Sequence, residues 1–152
     1  MIYDIQHYET TKELLNNIII ESVIKDYQLH VLYSIPIQNI YKDDIVSIST
    51  EFEVTQNNAY MTMIGSYVIL SDAPYSPKGD YVVQPNGFNL DNRLHHAVPM
   101  HHRQFKANKD YLGTYYLNVV IYSSSTDAKN GDVLKIEQNY GHLDAVIFHI
   151  NN

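Results

Sequence analysis

A strict alternation of apolar and polar side chains runs through the middle of the chain. Such a period of two places successive side chains on opposite faces of a β-strand. The apolar set is Val46, Ile48, Thr50, Phe52 and Val54, and the polar set is Ser47, Ser49, Glu51 and Glu53. The pattern predicts a strand with one buried face and one solvated face.

Two segments flank this strand. Residues 27–33 alternate in the same way and predict a second strand, which Pro36 should interrupt because proline cannot donate to a ladder. Residues 60–70 are largely apolar at both odd and even positions. This is typical of a strand covered on both faces, either central in a sheet or part of an interface. Residues 71–92, rich in Pro, Gly and Asn, predict a long exposed loop.

The C-terminal part predicts further strands. Residues 115–122 and 133–138 resemble a hairpin pair joined by a long loop, and residues 139–141 predict a tight turn into a last buried strand over 143–150. A helix is possible only near the start, over residues 11–17, where the following run of isoleucines opposes it.

Composition agrees with this strand pattern. The chain has 152 residues, 45% of them hydrophobic, and its 14 Tyr and abundant Ile and Val suit pleated surfaces. We expect an all-β fold, a two-sheet antiparallel β-sandwich with long loops and a jelly-roll-like arrangement. Residues 1–152 form one domain in this interpretation, and residues 1–15 are a possible docking arm that carries Ile2, Tyr3, Ile5 and Tyr8.

Several classes of protein are disfavoured. The chain has no cysteine, which removes disulfides and thiolate metal sites, and its net charge of -7 argues against nucleic acid as a partner. No apolar run is long enough to span a membrane, and the first residues lack the pattern of a signal peptide.

Histidines are concentrated in one segment. His95, His96, His101 and His102 lie within eight residues. In a continuous strand His95 and His101 would lie about 20 Å apart, and adjacent histidines would point to opposite faces. We therefore expect no metal and no cofactor. The four histidines are kept only as low-probability metal ligands. Full protonation of all 8 His would move the charge from -7 to +1, so pH sensing stays open.

No catalytic constellation is visible, and we expect no enzyme. Ser66 follows a glycine but lies within an apolar segment, and Glu51 and Glu53 alternate as an ordinary solvated face. A cupin-like metalloenzyme that uses some of the four histidines remains an alternative.

Tyrosines in segments that are predicted to be loops indicate a surface that binds a partner. Rigid aromatic rings among amides are typical of binding surfaces. The candidate binding residues are Tyr75, Tyr81, Asn86, Asn89 and Tyr111. A carbohydrate-binding module is the second alternative, because exposed tyrosines beside amides can stack on sugar faces.

Two stretches, residues 33–54 and residues 113–122 followed by 131–136, carry a resemblance. In the first, a strand contains Pro36, and Lys42 with two aspartates precedes the next strand; in the second, Gly131 and Asp132 open a strand. They resemble small β-sandwich proteins of tailed-phage virions, and are also similar to jelly-roll modules of complement-type and tumour-necrosis-type trimers.

This resemblance implies a capsid decoration protein or a small head-fibre or tail-associated protein, made in the host cytoplasm and placed on the virion surface. Expected partners are further copies of the chain, with a trimer favoured, other virion or scaffold proteins, and a host-surface glycan. No functional residue is carried over from the resemblance.

Overall fold

The computed structural model describes residues 4–9, 18–21, 28–56, 62–90, 96–97, 100–124 and 133–150, with side chains described over 4–9, 29–55, 64–84, 102–123 and 142–150. This part of the chain consists of strands and connections. The strands are β1 (Asp4–Glu9), β2 (Ile18–Glu21), β3 (Gln28–Ile40), β4 (Ile45–Gln56), β5 (Thr62–Ser71), β6 (Asp80–Leu90), β7 (His96–Ala97), β8 (Met100–Lys106), β9 (Tyr111–Ser124) and β10 (Val133–His149). The possible helix over 11–17 lies outside the described residues.

The strands form two antiparallel sheets. In the first, β10 and β4 are adjacent at the centre; β1 and β2 pair with β10 along one edge, and β7 and β8 pair with β4 along the other. In the second sheet the order is β3-β9-β5-β6. None of the described residues forms a helix of the length and hydropathy needed to cross a membrane.

The strand order is that of a jelly roll. Because β1 and β2 occupy one edge position and β7 and β8 another, the described strands fill eight positions. Successive positions alternate between the sheets, except for β5 and β6, which pair within one sheet, and the resulting order is that of two Greek keys. The predicted all-β, two-sheet antiparallel sandwich is therefore confirmed, including its jelly-roll-like arrangement.

The main core lies between the two sheets. Its largest fully buried side chains include Tyr33 from β3, Phe52 from β4 and Leu117 from β9. The alternation in β4 is confirmed, since its apolar set is buried and its polar set is half-buried.

The central strand β5 is covered on both faces, as predicted. Residues 64–70 are all buried. Val68 belongs to the main core, whereas Tyr67 and Ile69 pack with Val120 in a second cluster on the outer face of the four-stranded sheet.

The prediction for β3 is wrong in two respects. Pro36 does not interrupt the strand, because β3 lies at a sheet edge, where a missing N–H donor is tolerated. A register irregularity between Val31 and Tyr33 also reverses the pattern of faces, so Val31 packs against the outer cluster while Tyr33 enters the main core.

The predicted long loop over 71–92 is also wrong. Residue 71 ends β5, residues 72–79 connect β5 to β6, and residues 80–90 form β6, while residues 91 and 92 lie outside the described residues. This strand again lies at an edge, and its pairing with β5 is irregular, which accommodates proline and glycine.

The predicted hairpin and turn near the C-terminus are wrong. β9 and β10 lie in different sheets, so they do not pair. Residues 139–141 form no turn that ends a strand; β10 continues through them, with a register irregularity against β4 between Glu137 and His142.

Candidate binding cleft

Three described connections meet at one end of the sandwich. They are residues 41–44 between β3 and β4, residues 72–79 between β5 and β6, and residues 107–110 between β8 and β9. Backbone hydrogen bonds join the first and third, because Ala107 N donates to Asp44 O at 2.9 Å and Asp43 N donates to Ala107 O at 2.8 Å. The Asp110 carboxylate also accepts from Lys42 N at 2.7 Å. This end is therefore a connected surface.

A cleft of about 480 Å³ opens between the second and third connections. A neighbouring cleft of about 320 Å³ shares Gly79, Asp80, Lys109 and Tyr111 with it. The larger cleft is lined by Gly79, Asp80, Tyr81, Val82, Phe105, Lys106, Ala107, Asn108, Lys109 and Tyr111. Its wall combines aromatic rings, ammonium groups and an amide.

Asp80 is the polar centre of both clefts. Its Oδ2 accepts a hydrogen bond from the Tyr111 hydroxyl at 2.9 Å and lies 3.4 Å from the Lys109 Nζ. The same Nζ lies 5.1 Å from the centroid of the Tyr111 ring, and Tyr115 meets that ring edge-on at 5.2 Å. These contacts fix Tyr111 as a rigid wall, which suits recognition because little side-chain freedom is lost on binding.

Gly79, which lines both clefts, lies close against the backbone of β5. A Cβ at this position would lie 2.4 Å from the backbone oxygen of Leu70, which is a clash with a group that cannot rotate away. Glycine is therefore required where the chain leaves the loop for β6.

Asn118 holds the 72–79 loop on the sheet. Its buried Nδ2 donates to Ala73 O at 3.1 Å and to Ser76 O at 3.0 Å. Because both partners are acceptors, the amide must present its NH₂ group to them. The loop that shapes the cleft is thus fastened to β9 from beneath.

Tyr81 presents an aromatic surface at the rim. It is 55% exposed, and its ring centroid lies 5.0 Å from that of Tyr67. Tyr67 in turn lies 6.2 Å from Tyr122, so the exposed ring continues a row of aromatic contacts on the outer face of the sheet. With the Lys106 and Lys109 ammonium groups nearby, the rim can offer stacking and charged hydrogen bonds to a polar ligand.

The structure brings together two of the five predicted binding residues. Tyr81 and Tyr111 line the larger cleft, whereas Tyr75 is exposed on the 72–79 loop but lines neither cleft. Asn86 and Asn89 lie further along β6, opposite Ser66 and Met63, and their side chains lie outside the described residues.

At roughly 3.3 Å per residue, Asn86 is about 17 Å along the strand from Tyr81. The polar side chains that line the larger cleft beside Tyr81 and Tyr111 include Asn108, Lys106 and Lys109, and not Asn86 or Asn89. Sequence reasoning missed Asn108 and the two lysines because β8 and β9 converge with β6 only in the folded chain.

Three of the four candidate histidines lie on strands of the six-stranded sheet. His96 pairs with Thr55, His101 with Thr50 and His102 with Ser49, all on β4. His102 is exposed; the side chains of His96 and His101, and the whole of His95, lie outside the described residues. Their part in metal binding stays a prediction.

The predicted arm begins with a strand of the first sheet. Residues 4–9 form β1, which pairs with β10 of the same chain. Tyr8 packs against the main core, whereas Ile5 is 57% exposed. Ile2 and Tyr3 lie outside the described residues, and docking onto a neighbour stays a prediction.

Tyr111 gives the cleft a pH dependence. Burial raises its pKa to about 12 from 10, and the hydrogen bond to Asp80 and the charges of Asp80 and Tyr115 act in the same direction. Its contribution to stability is therefore complete below pH 10 and is lost as the pH rises towards 12. We expect the unfolding free energy of Tyr111→Phe to fall less steeply than wild type between pH 10 and 12.

Denaturant unfolding at several pH values measures these slopes. Tyr75→Phe is the matched control, because it removes an exposed phenol from the same end of the sandwich. It should keep the wild-type slope. Equal slopes for wild type and Tyr111→Phe would contradict the assignment.

Neither a protein family nor a curated protein matches this chain by sequence. Comparison of the structure gives a different result. A structure of the infectious bursal disease virus Gx strain superposes on 99% of this chain with a TM-score of 0.65 at 14% identity. This chain shares its fold with proteins of infectious bursal disease virus.

Two further structures support the likeness. The Gt strain structure has a TM-score of 0.55 at 11% identity, and the VP2 subviral particle has 0.51 at 10%, each over 99% of this chain. This chain spans only 33% to 39% of the length of those three chains. At such identities the likeness shows the fold alone, a β-sandwich that this chain shares with these viral structures, and none of the three comes from a tailed phage.

Proposed function

We propose that this chain is a non-enzymatic structural component of a virion, in which the β-sandwich packs against further copies of itself and against a larger protein scaffold. The observation that carries the proposal is the jelly-roll strand order of this chain, together with its superposition over 99% of its length on a structure of infectious bursal disease virus. Antiparallel jelly rolls are a common architecture of capsid domains.

Exposed apolar side chains support the assembly part of the proposal. Leu29 on the edge strand β3 is 50% exposed, Leu112 at the start of β9 is 62% exposed, and Ile5 on β1 is 57% exposed. Large apolar side chains on a surface lose unfavourable hydration when a neighbouring subunit covers them. The finer proposal is a surface component, a decoration or fibre-associated protein that forms a homotrimer.

The cleft supports a recognition role at the loop end. Its rigid Tyr111 wall, exposed Tyr81 and ammonium groups suit a polar partner, either a scaffold segment or a host-surface ligand. Residues 33–54, 113–122 and 131–136, which resemble tailed-phage virion proteins, favour a phage source, whereas the structural neighbours belong to infectious bursal disease virus.

Solution mass tests the assembly proposal. Light scattering of the purified chain at neutral pH is expected to give a trimer or larger species. Leu112→Ser should lower the mass, because it makes the most exposed of these apolar positions polar, while Leu29→Ser tests a second face. Asp72→Ser is the control at an exposed polar position. A stable monomer at every concentration would contradict self-assembly.

The second candidate function is carbohydrate binding, which the exposed Tyr81 ring favours. A glycan array probed with the wild-type chain and with Tyr81→Ala would detect it, since loss of the stacking surface should abolish capture. Tyr75→Ala removes an exposed tyrosine outside the cleft and should retain capture. A monomer that binds glycans through Tyr81 would replace the structural proposal with this one.

A further inference from the structure

A group of metal-ligating side chains lies on the outer face of the six-stranded sheet, away from the cleft. Antiparallel pairing sets Glu9 of β1 directly opposite Asp144 of β10, and His7 opposite Val146. Because side chains alternate along a strand, His7 and Glu9 share one face with Asp144. The three come from opposite ends of the sequence.

Their donor atoms are close enough for a shared ion. One ligand atom from each of His7, Glu9 and Asp144 lies within 4.8 Å of the other two, and the His7 Nε2 lies 3.5 Å from Asp144 Oδ1. Ligands of tetrahedral zinc, at about 2.0–2.2 Å from the ion, are about 3.3–3.6 Å from one another. Small side-chain rotations therefore suffice, and all three side chains are accessible, with His7 and Glu9 exposed and Asp144 half-buried.

We infer that His7, Glu9 and Asp144 bind one divalent transition-metal ion of the zinc class, which fastens β1 to β10. Like charges directly opposite each other on paired strands repel, and Glu9 faces Asp144 in this way. A divalent ion neutralises the two carboxylates, and the neutral imidazole nitrogen selects Zn²⁺ or Co²⁺ over Ca²⁺, which prefers oxygen ligands alone.

Asp144 is also positioned from its other side. The His142 Nε2 lies 3.2 Å from Asp144 Oδ2, and its Nδ1 lies 3.1 Å from Glu51 Oε1 on β4. Contacts from neighbouring groups commonly orient a ligating carboxylate. Asp144 Oδ1, the oxygen near His7, therefore remains directed towards β1.

The consequence is a metal-dependent attachment of an edge strand. β1 pairs with β10 alone, so its other side has no strand partner among the described residues. An ion that binds the folded state and not the unfolded chain raises the melting temperature. At a free concentration of 100 times Kd, we expect a rise of about 5–10 °C for a domain of this size.

Thermal unfolding of chelator-treated protein, with and without ZnCl₂, tests the inference, and isothermal titration gives the stoichiometry. The wild type should bind one Zn²⁺ and show the shift, while CaCl₂ should give none. Glu9→Gln should abolish the zinc shift yet keep or raise the metal-free melting temperature, because it removes the repulsion from Asp144. His7→Gln should also abolish the shift.

His102→Gln is the matched control, since it removes an exposed histidine on β8 of the same sheet. It should leave the zinc shift unchanged. The inference is overturned if wild type shows no shift, if calcium acts as well as zinc, or if Glu9→Gln and His7→Gln respond like wild type. Loss of the shift in His102→Gln would instead assign the metal to the histidine-rich segment.

Discussion

Replacing Asp44 by alanine is expected to lower the free energy of unfolding by about 3–5 kcal/mol, because it removes the shared acceptor of three hydrogen-bond donors at a buried position. The Asp44 side chain is 0% exposed, and its Oδ2 lies 2.6 Å from Nδ1 of His149, whose side chain is 5% exposed. A carboxylate offers only acceptors, so Nδ1 carries the hydrogen of this contact.

The same carboxylate satisfies two backbone donors. Tyr41 N donates to Oδ2 at 2.9 Å, and Ile150 N donates to Oδ1 at 3.3 Å. Asp44 thereby ties the turn between β3 and β4 to the end of β10. Alanine leaves a buried imidazole and two N–H groups without these acceptors, and unsatisfied buried groups are costly.

Two asparagine substitutions at adjacent positions isolate this role. Asp44→Asn retains the shape but replaces one acceptor with a donor, so we expect a loss of about 1–3 kcal/mol. Asp43→Asn makes the same chemical change at a more exposed residue with a positive φ of 74°, a conformation that asparagine tolerates. It should stay within about 0.5 kcal/mol of wild type. Urea unfolding measures all three, and equal losses at 43 and 44 would refute the assignment.

Replacing Asn118 by aspartate is expected to cost about 3 kcal/mol or more, because it buries a charge without a compensating donor. Asn118 is 0% exposed, and its NH₂ group serves the carbonyl oxygens of Ala73 and Ser76. A carboxylate would repel both oxygens. The 72–79 loop should then separate from the sheet, and trypsin should cleave after Lys78 faster than in wild type.

Asn39→Asp is the control of the same chemistry. The Oδ1 atom of Asn39 accepts from Gly113 N at 2.7 Å, and an aspartate oxygen accepts equally well. Asn39 is exposed with a φ of 49°, which aspartate also tolerates. We expect a change within about 0.5 kcal/mol there. If Asn118→Asp were no more destabilising than Asn39→Asp, the loop would not depend on this amide.

The strands that could be predicted from sequence are central ones. β4 has one face in the core and one face towards solvent, so burial enforces its period of two. β5 is largely apolar on both faces, because both of them are covered. Prediction gave the strand β3 but interrupted it at Pro36, and it missed the strand β6; both strands lie at the edges of their sheet. An edge strand needs fewer ladder bonds, so it accepts proline and glycine that elsewhere mark a loop.

Pairing between strands was less predictable. β9 and β10 follow each other in sequence but lie in opposite sheets, and local alternation carries no information about which sheet a strand joins. The candidate sites show the same limitation. Tyr81 and Tyr111 were predicted from their residue type, whereas Lys106, Asn108 and Asp80 acquire their roles only when three connections meet.

The pairing of β1 with β10 places the first and last strands of the sandwich side by side, with Asp4 opposite His149. The polypeptide therefore enters and leaves this body at one corner. A fold with that property can be inserted into a longer chain, or rearranged into a circular permutant, without cutting either sheet. In such an arrangement the covalent connection occupies one corner of the module and leaves its other faces accessible to neighbouring molecules.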